Sequence, residues 1–481
     1  MKLTSGPGTS GGAATPGQDA PGTKAVHAFV AEHVDEMVAQ LVEWVRLRSV
    51  AGLPENDPDL LRSANWLAGA LREVGFPTVE VWETEGAPSV YAEWCEAPGA
   101  PTVLVYSHHD VRAAKDETWA QVAPFEPAVR DGRVWGRGTS DAKGQVLAHL
   151  WGLRAHLATT GRSAPAVNLR VIVEGEEEQG SPHLKALLEE QRDRVQADVV
   201  VLSDTLLWRA DAPAVCTGLR GALNVSLEVR GPQHDVHSGA VSGPAPNPII
   251  ELSRLLAQLH DDEGRVTLPG FYDDVLPPSE ADRAAFAALP FSEDDWLERT
   301  GTSSIGGEAG YTVLERLWLR PAVEVLSIVG GDIESPPRGT IPSVARVDLT
   351  VRTVPGQTVA RVADQFRQWV EERLSDRVDH ELTIPLLTGQ EAYVTPPDTP
   401  ALTALRAAMA EGFGGEVGEM RGAGGAPASL LHEVTGAPVV FFGTGLPEDN
   451  WHTSDESARI DVLAAGAATL ALLWRELAGT T

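Results

Sequence analysis

The sequence predicts an α/β protein in which a mostly parallel β-sheet, flanked by helices, is interrupted by a smaller inserted α+β domain. The first observation is a repeated arrangement: a short apolar run, then polar residues, and often a helical pattern after them. Such alternation is typical of a buried parallel sheet with helices on both faces. The second observation is that residues near 220–390 alternate between apolar and polar positions, which is typical of antiparallel strands.

The elements of the large domain are predicted in chain order. Residues 1–24 are rich in Gly, Pro, Ser and Thr and are expected to form a flexible leader. Apolar residues at helical spacing predict a long amphipathic helix from Val26 to Val45, and a second helix is expected at about 58–74. The strand-like segments are 78–83, 89–94, 102–106, 167–173, 198–202 and 438–442, and the later helical patterns are 142–157, 182–191 and 457–477.

The inserted region has its own set of predicted elements. Its strands are 223–229 and 344–351, its helices are 247–260 and 359–374, and its longer polar loops are 262–285 and 290–312. We therefore assign 25–218 and 396–481 to the large domain and 219–395 to the insertion.

The composition of the 481-residue chain excludes several classes of function. The net charge of −30 and the pI of about 4.8 argue against nucleic-acid binding, which needs a basic surface, and against docking on anionic membranes. No apolar run reaches the ~20 residues that span a bilayer, and no secretory signal is apparent. The two cysteines, Cys95 and Cys216, allow at most one disulfide and exclude a thiolate-rich zinc site. A cytoplasmic protein with free thiols is the simplest interpretation.

Polar side chains follow the apolar runs at the points where the predicted strands end. In open α/β sheets, ligands bind outside the carboxyl ends of the strands. The residues that the pattern brings to this edge are SHHD at 107–110, the Gly-rich turn GRGTSDAKG at 136–144, EGEEEQGS at 174–181, SDT at 203–205 and DNWH at 449–452. Two histidines and several carboxylates therefore converge on one edge of one sheet.

This cluster is typical of a hydrolytic site with two divalent metal ions. Zinc and manganese accept imidazole and carboxylate ligands, and a carboxylate can bridge two ions. In His108-x-Asp110 the two side chains share a face of the strand, so the Asp can orient the His, while His109 faces away and is expected to pack or hydrogen-bond. Of the adjacent Glu177 and Glu178, one can bind metal while the other acts as general base. Taken alone, each motif also has a purely structural interpretation, such as a helix cap at Asp141.

The same motifs resemble those of the dinuclear-metal peptidase superfamily that includes glutamate carboxypeptidase, aminoacylase and carnosinase. The resemblance covers about residues 30 to 478 and is strongest to the carnosinase-like and cytosolic non-specific dipeptidase branch. SHHDVRAA is similar to an H-x-D-V-x-P element, EGEEEQGS to E-G-x-E-E-x-G-S, and WHTSDE to H-S-P-N-E. The family fold implies a zinc-peptidase-like catalytic domain and an inserted lid and dimerisation domain.

The resemblance implies a role for each of these residues. Glu177 would be the general base, and Asp110 would orient His108. The two metal ions, Zn²⁺ or Mn²⁺, would be held by two groups of ligands that share one carboxylate: His108, Asp141 and Asp204, and Asp141, Glu178 and His452.

The inserted region also matches the family. DVHSG is similar to the D-x-H-S-G element, and the resemblance implies that His237 reaches across a dimer interface to stabilise the oxyanion. Taken alone, His237 would more simply cap a turn. Arg352 and Arg421 are implied to bind the substrate carboxylate, although a strand-end salt bridge is the alternative for Arg352. The segments NP and GTIP add Asn247 and Thr340 as implied substrate-binding residues.

One departure concerns substrate preference. The branch usually has R-x-G-G-S-I-P, whereas this chain has RGAGGAP, with Gly425 at the position of the serine. The resemblance as a whole implies a homodimeric metallopeptidase that hydrolyses dipeptides or short peptides through a water held between the ions. An N-acyl amino acid deacylase of the same superfamily is one alternative. A catalytically silent metal- or peptide-binding protein is the other.

Overall fold

The computed structural model describes residues 21–114, 119–331 and 338–479. Most of the predicted leader, 1–20, lies outside the described residues. The α-helices are α1 Pro21–Val45, α2 Asp57–Val74, α3 Lys143–Thr160, α4 Leu184–Glu190, α5 Ser238–Val241, α6 Pro248–Leu256, α7 Glu280–Ala287, α8 Glu293–Thr300, α9 Val313–Trp318, α10 Val359–Arg373, α11 Pro400–Phe413, α12 Ala428–Thr435 and α13 Ile460–Ala478.

The strands are β1 Thr78–Trp82, β2 Ser89–Trp94, β3 Thr102–His108, β4 Ala128–Arg130, β5 Arg133–Trp135, β6 Asn168–Glu174, β7 Val199–Leu202, β8 Ala214–Leu219, β9 Gly221–Arg230, β10 Val236–His237, β11 Ala322–Gly330, β12 Thr340–Ile341, β13 Val344–Thr353, β14 Asp379–Thr383, β15 Tyr393–Val394, β16 Gly418–Gly422, β17 Val439–Phe441 and β18 Ser457–Arg459.

The main sheet confirms the predicted α/β class. Its strand order is β1-β2-β6-β3-β7-β17-β8-β15, with β16 paired to β8. The central strands β6, β3, β7 and β17 are mutually parallel, whereas the pairs towards both edges are mostly antiparallel. The segments predicted as strands at 102–106, 167–173, 198–202 and 438–442 form these central strands, because an apolar strand is stable where helices cover both of its faces.

Helices cover both faces of this sheet. Val103 and Val105 of β3 point into a core formed with α1, α2, α3, α11 and α13. The alternate residues Leu104 and Tyr106 point into a second core on the opposite face, formed with α4 and α12. This alternation follows from the two-residue period of a strand.

The lid domain contains a four-stranded antiparallel sheet of order β11-β13-β9-β14. Apolar residues of β9 and β13 pack against α6 and α10 in a separate core that includes Phe366 and Trp369. The chain leaves the main sheet after β8 and enters the lid at Gly221. It returns through β15, whose residues Tyr393 and Val394 pair with β8, just before the boundary predicted at 395.

Several predicted boundaries differ from the structure. Helix α1 begins at Pro21, inside the predicted leader, and the pattern at 457–477 divides into strand β18 and helix α13. The regions predicted as polar loops contain α7 and α8, which Ser279 and Ser292 cap. Phe286 of α7 and Trp318 of α9 join the core beneath the main sheet, so part of the insertion packs on the large domain. No helix of the described ranges is both long and apolar enough to cross a bilayer.

Candidate dinuclear metal centre

The candidate site lies at the carboxyl edge of the four parallel strands. His108 is the last residue of β3 and lies opposite Glu174 at the end of β6. Asp204 follows β7, and His452 lies in the loop after β17. Because parallel strands end at the same edge of a sheet, side chains that are far apart in the chain meet here.

The Gly-rich turn before α3 positions Asp141. The carboxylate of Glu456 accepts hydrogen bonds from the backbone N–H groups of Gly138, Ser140 and Asp141 at 3.0–3.1 Å, and it pairs with Arg137 at 2.7 Å. Gly138 has φ of 91°, and a β-carbon there would lie 2.7 Å from the Val111 side chain. Glycine at this position therefore lets the turn pack tightly and aim Asp141 at the strand ends.

Asp141 is shared between two groups of side chains. Its Oδ1 lies 3.2 Å from Nε2 of His108, which also lies 3.5 Å from Oδ1 of Asp204. Its Oδ2 lies 3.0 Å from Nε2 of His452, which also lies 3.1 Å from Oε2 of Glu178. Within each group the potential ligand atoms all lie within 4.8 Å of one another. These are the two groups that the family resemblance implies.

The oxygen atoms of this cluster fit two divalent cations. Both carboxylate oxygens of the buried Glu178 and Oδ2 of Asp141 lack hydrogen-bond partners among the described residues. The close contacts of Glu178 Oε2 with Arg112 and His452, and of Asp141 Oδ2 with His452, are ion pairs without hydrogen-bond geometry. Unsatisfied buried carboxylate oxygens are costly unless a cation compensates them. Two imidazoles and three carboxylates are a donor set that suits zinc or manganese.

The pKa values also indicate a deficit of positive charge. Burial and the neighbouring Asp204 raise the pKa of Glu177 well above its usual range, and burial raises the pKa of Asp204 to about 6. Burial alone would lower the pKa of His452, but its contacts with Asp141 and Glu178 raise it to about 10. Bound cations would lower these pKa values, because carboxylate and imidazole ligands bind metal in their deprotonated forms.

Asp110 links the histidine to the glutamate turn. Its carboxylate lies 3.3 Å from Nδ1 of His108 and accepts hydrogen bonds from the N–H groups of Glu177 and Glu178 at 3.2 and 3.0 Å. The turn Glu177–Gln179 is a single 3₁₀ turn. Asp110 thus orients both His108 and the two glutamates, and the side chain of Glu177 lies in the wall of the cavity in front of the cluster.

This cavity has a volume of about 520 Å³ and lies between the main sheet and the lid. The potential ligands Asp141, Glu178, Asp204 and His452 line the cavity, and so does the half-buried side chain of Arg352. Burial lowers the pKa of Arg352, and no carboxylate of the described residues pairs with it. The apolar lining includes Leu206, Leu207, Trp208, Phe291, Trp296, Leu314, Leu317 and Trp318, and two of these, Phe291 and Trp296, come from a segment predicted as a polar loop.

Four other predicted site residues do not line the cavity within one chain. Arg421 pairs with Asp282 at 2.9 Å, and Asn247 caps α6 by accepting a hydrogen bond from Ile249 N–H at 3.0 Å. His237 is exposed and lies opposite Thr340 in the two-stranded β10–β12 ribbon. The binding and catalytic roles implied for these four residues therefore stay predictions.

The sequence reasoning did not assign roles to several residues that shape the site. Glu456 ends the WHTSDE motif, and this motif was the signal that could have identified it. Asp449 accepts hydrogen bonds from Ser140 Oγ and Leu446 N–H at 2.7 and 2.8 Å and pairs with Arg133. Gln390 carries no signal in the sequence, because its position beside Glu177 depends on the fold.

We predict that Glu456→Ala lowers both stability and metal binding. The substitution leaves Arg137 and the N–H groups of the Gly-rich turn without their buried acceptor, which should cost about 3 kcal/mol. Urea denaturation would measure the free energy of unfolding, and elemental analysis would measure the amount of bound metal. The exposed Glu448 provides the control, since Glu448→Ala should change neither quantity. An unfolding free energy within about 0.5 kcal/mol of the unsubstituted chain would contradict the prediction.

The α/β fold and the shared-aspartate cluster define a dinuclear metallohydrolase. The model of the peptidase family M20/M25/M40 matches residues 104–476, and the chain belongs to this family. The beta-Ala-His dipeptidase of Homo sapiens is 28% identical over 470 residues, covering 94% of this chain and 92% of its own. The Cys-Gly metallodipeptidase of Candida albicans is 26% identical over 454 residues, covering 90% and 93%.

The fold comparison agrees with the family. The crystal structure of human carnosine dipeptidase 1 superposes with a TM-score of 0.85 at 27% identity, over 96% of this chain and 100% of that one. The predicted superfamily and the predicted metallopeptidase are therefore confirmed. The names of the relatives favour dipeptide hydrolysis over the deacylase and over the silent binding protein.

Proposed function

We propose that this chain is a metal-dependent dipeptidase. The observation that carries the proposal is the arrangement of one cavity. Two groups of potential ligands share Asp141, the acidic Glu177 lies beside them, and the cationic Arg352 has no carboxylate partner among the described residues. The C-terminal carboxylate of a dipeptide can form a bidentate pair with the guanidinium of Arg352. This pair would hold the peptide in front of the ligand cluster.

In this proposal, the two groups bind two Zn²⁺ or Mn²⁺ ions, which when bound supply Lewis acidity at the scissile carbonyl and a position for the attacking water. Glu177 accepts a proton from that water as it attacks the carbonyl carbon. Glu177 then transfers the proton to the nitrogen of the leaving amino acid as the C–N bond breaks. The raised pKa of Glu177 and its half-buried position suit a group that both accepts and returns a proton.

The cavity also favours a class of substrate. Its volume of about 520 Å³ suits a small molecule such as a dipeptide. The tryptophans Trp208, Trp296 and Trp318 form much of the apolar wall and would contact an apolar side chain of the peptide. We therefore propose dipeptides with at least one bulky apolar residue as the preferred substrates.

The test is a panel of substrates given to protein that has been stripped with a chelator and reloaded with Zn²⁺ or Mn²⁺. The panel pairs apolar with small dipeptides and includes the matching N-acetyl amino acids and C-terminally amidated dipeptides. We expect metal-restored release of amino acids from the free dipeptides and at least tenfold lower kcat/KM for the amidated ones, since Arg352 loses its charged partner. Cleavage of only the N-acetyl compounds would favour the deacylase instead.

We further propose that the chain forms a homodimer through the lid. Strand β11 is the edge of the lid sheet, and its outer residues are apolar and exposed: Leu326 by 64%, Ile328 by 58% and Val329 by 53%. A long apolar edge strand is an aggregation hazard unless another chain covers it. A second copy of the lid is the proposed cover. A cytoplasmic location is part of this proposal, and the two free cysteines suit a reducing compartment.

The dimer gives a place for His237, which is exposed and outside the cavity of its own chain. If His237 acts in the partner's site, Glu177→Gln and His237→Ala chains should complement each other. When the two chains are co-expressed in equal amounts, half of the dimers should be mixed. Each mixed dimer keeps one complete site of its two, so activity should reach about a quarter of the unsubstituted level. Each variant alone should be nearly inactive. A mixture no more active than its components would contradict action across the dimer.

A further inference from the structure

Gln390 lies on a segment that joins the lid to the metal centre. Its backbone N–H donates to Ala222 O at 2.9 Å, and its carbonyl accepts from Ala222 N–H at 2.8 Å, at the first residues of β9. Two residues earlier, Thr388 packs against Gly180, where a β-carbon would lie 2.8 Å from the Thr388 β-carbon. The segment is therefore fixed on one side to the lid sheet and on the other to the turn that carries Glu177.

The side chain of Gln390 reaches the proposed general base. Its Nε2 donates a hydrogen bond to Oε1 of Glu177 at 3.3 Å. An amide donor to one carboxylate oxygen restricts rotation of the carboxylate and leaves the other oxygen for a proton from water. Because the amide N–H is used in this bond, the carbonyl oxygen Oε1 of Gln390 points away from Glu177.

Gly425 provides the space that this arrangement needs. A β-carbon built on Gly425 would lie 2.3 Å from Oε1 of Gln390 and 3.1 Å from the β-carbon of Ala222. Any side chain at position 425 would therefore displace the carboxamide. The glycine that departs from the family motif and the glutamine that contacts Glu177 are two parts of one arrangement.

We infer that Gln390 is a positioning residue for Glu177 and that Gly425 is required for it. This inference rests on the proposed function, because it assumes that Glu177 is the general base. As a consequence, the side-chain carbonyl oxygen of Gln390 occupies the space beside Gly425 at the cavity wall. The family motif has the hydroxyl group of a serine at this place. The subsite beside Glu177 thus accepts hydrogen bonds from an N–H group of the substrate.

The test compares three variants with the unsubstituted chain on whichever substrates the panel identifies. Gln390→Met keeps the length and volume of the side chain but removes the donor, and we expect kcat to fall about tenfold with KM changed less than threefold. Gly425→Ser should lower kcat similarly, and the double variant should be no worse than either single one. Leu387→Ala, from the same segment and 87% exposed, should leave activity unchanged.

A crystal structure of the metal-loaded chain separates this inference from the proposed function. We expect the Gln390 carboxamide within hydrogen-bond distance of Glu177, and displaced from it in Gly425→Ser. A Gln390→Met variant with unchanged kcat would overturn the inference while dipeptide cleavage stood. If the chain cleaved no dipeptide but showed both crystal results, the proposed dipeptidase function would be wrong, and the contact between Gln390 and Glu177 would stand. A carboxamide directed away from Glu177 in the unsubstituted crystal would overturn the inference whatever the substrate.

Discussion

Glu177→Gln should lower kcat by about 10³- to 10⁴-fold and leave the bound metal unchanged. The substitution keeps the shape of the side chain but removes the group that accepts the proton of the attacking water. Glu177 is half-buried near Asp204 and belongs to neither group of potential ligands among the described residues, so metal binding should persist. The measurements are steady-state kinetics on the best dipeptide of the panel and elemental analysis of the same preparation.

The neighbouring Glu176 provides a matched control for this variant. It lies in the same acidic segment, but its carboxylate bonds to Nδ1 of His183 at 2.8 Å. Glu176→Gln should therefore keep kcat within about threefold of the unsubstituted value. If Glu177→Gln retained more than about a tenth of the turnover with full metal, the proton would have to be accepted elsewhere. If both variants lost activity, the cause would be the structure of the turn and not the base.

Much of the candidate metal centre was predictable because its residues follow strands that have a strong pattern. The apolar runs before His108, Glu174 and Asp204 are long enough to be recognised, and the carboxyl ends of parallel strands share an edge. The family resemblance implies that Asp141 is shared between two ions, and its carboxylate lies between two imidazoles. Local pattern and topology thus point to the same residues.

The parts that were not predictable depend on packing between distant segments. Helices α7 and α8 have strongly acidic first turns, and their short lengths conceal a helical period. Phe286 becomes a core residue only because the main sheet lies beneath it. Gln390 acquires its contact with Glu177 only because no side chain is present at Gly425. Such dependences between residues far apart in the chain leave no periodic trace in the sequence.

Asp141→Asn should abolish binding of both metal ions and reduce activity by at least about 10⁴-fold. Asp141 is the one residue common to the two groups, and its carboxylate lies between His108 and His452. An amide has one oxygen and no charge, so it cannot bridge two cations as a carboxylate does. We expect metal content to fall from about two ions per chain to below one, measured after dialysis against a fixed concentration of free Zn²⁺.

Asp204→Asn distinguishes a bridging role from a general loss of charge. Asp204 belongs to only one group, with His108 and Asp141, so this variant should retain the ion held by Asp141, Glu178 and His452. Each retained ion should raise the unfolding temperature when metal is added, because ligands that bind the folded chain stabilise it. The unsubstituted chain should show the largest rise, Asp204→Asn a smaller one, and Asp141→Asn almost none. Equal metal loss in the two variants would mean that the ions bind only as a pair, and full occupancy in Asp141→Asn would refute the shared ligand.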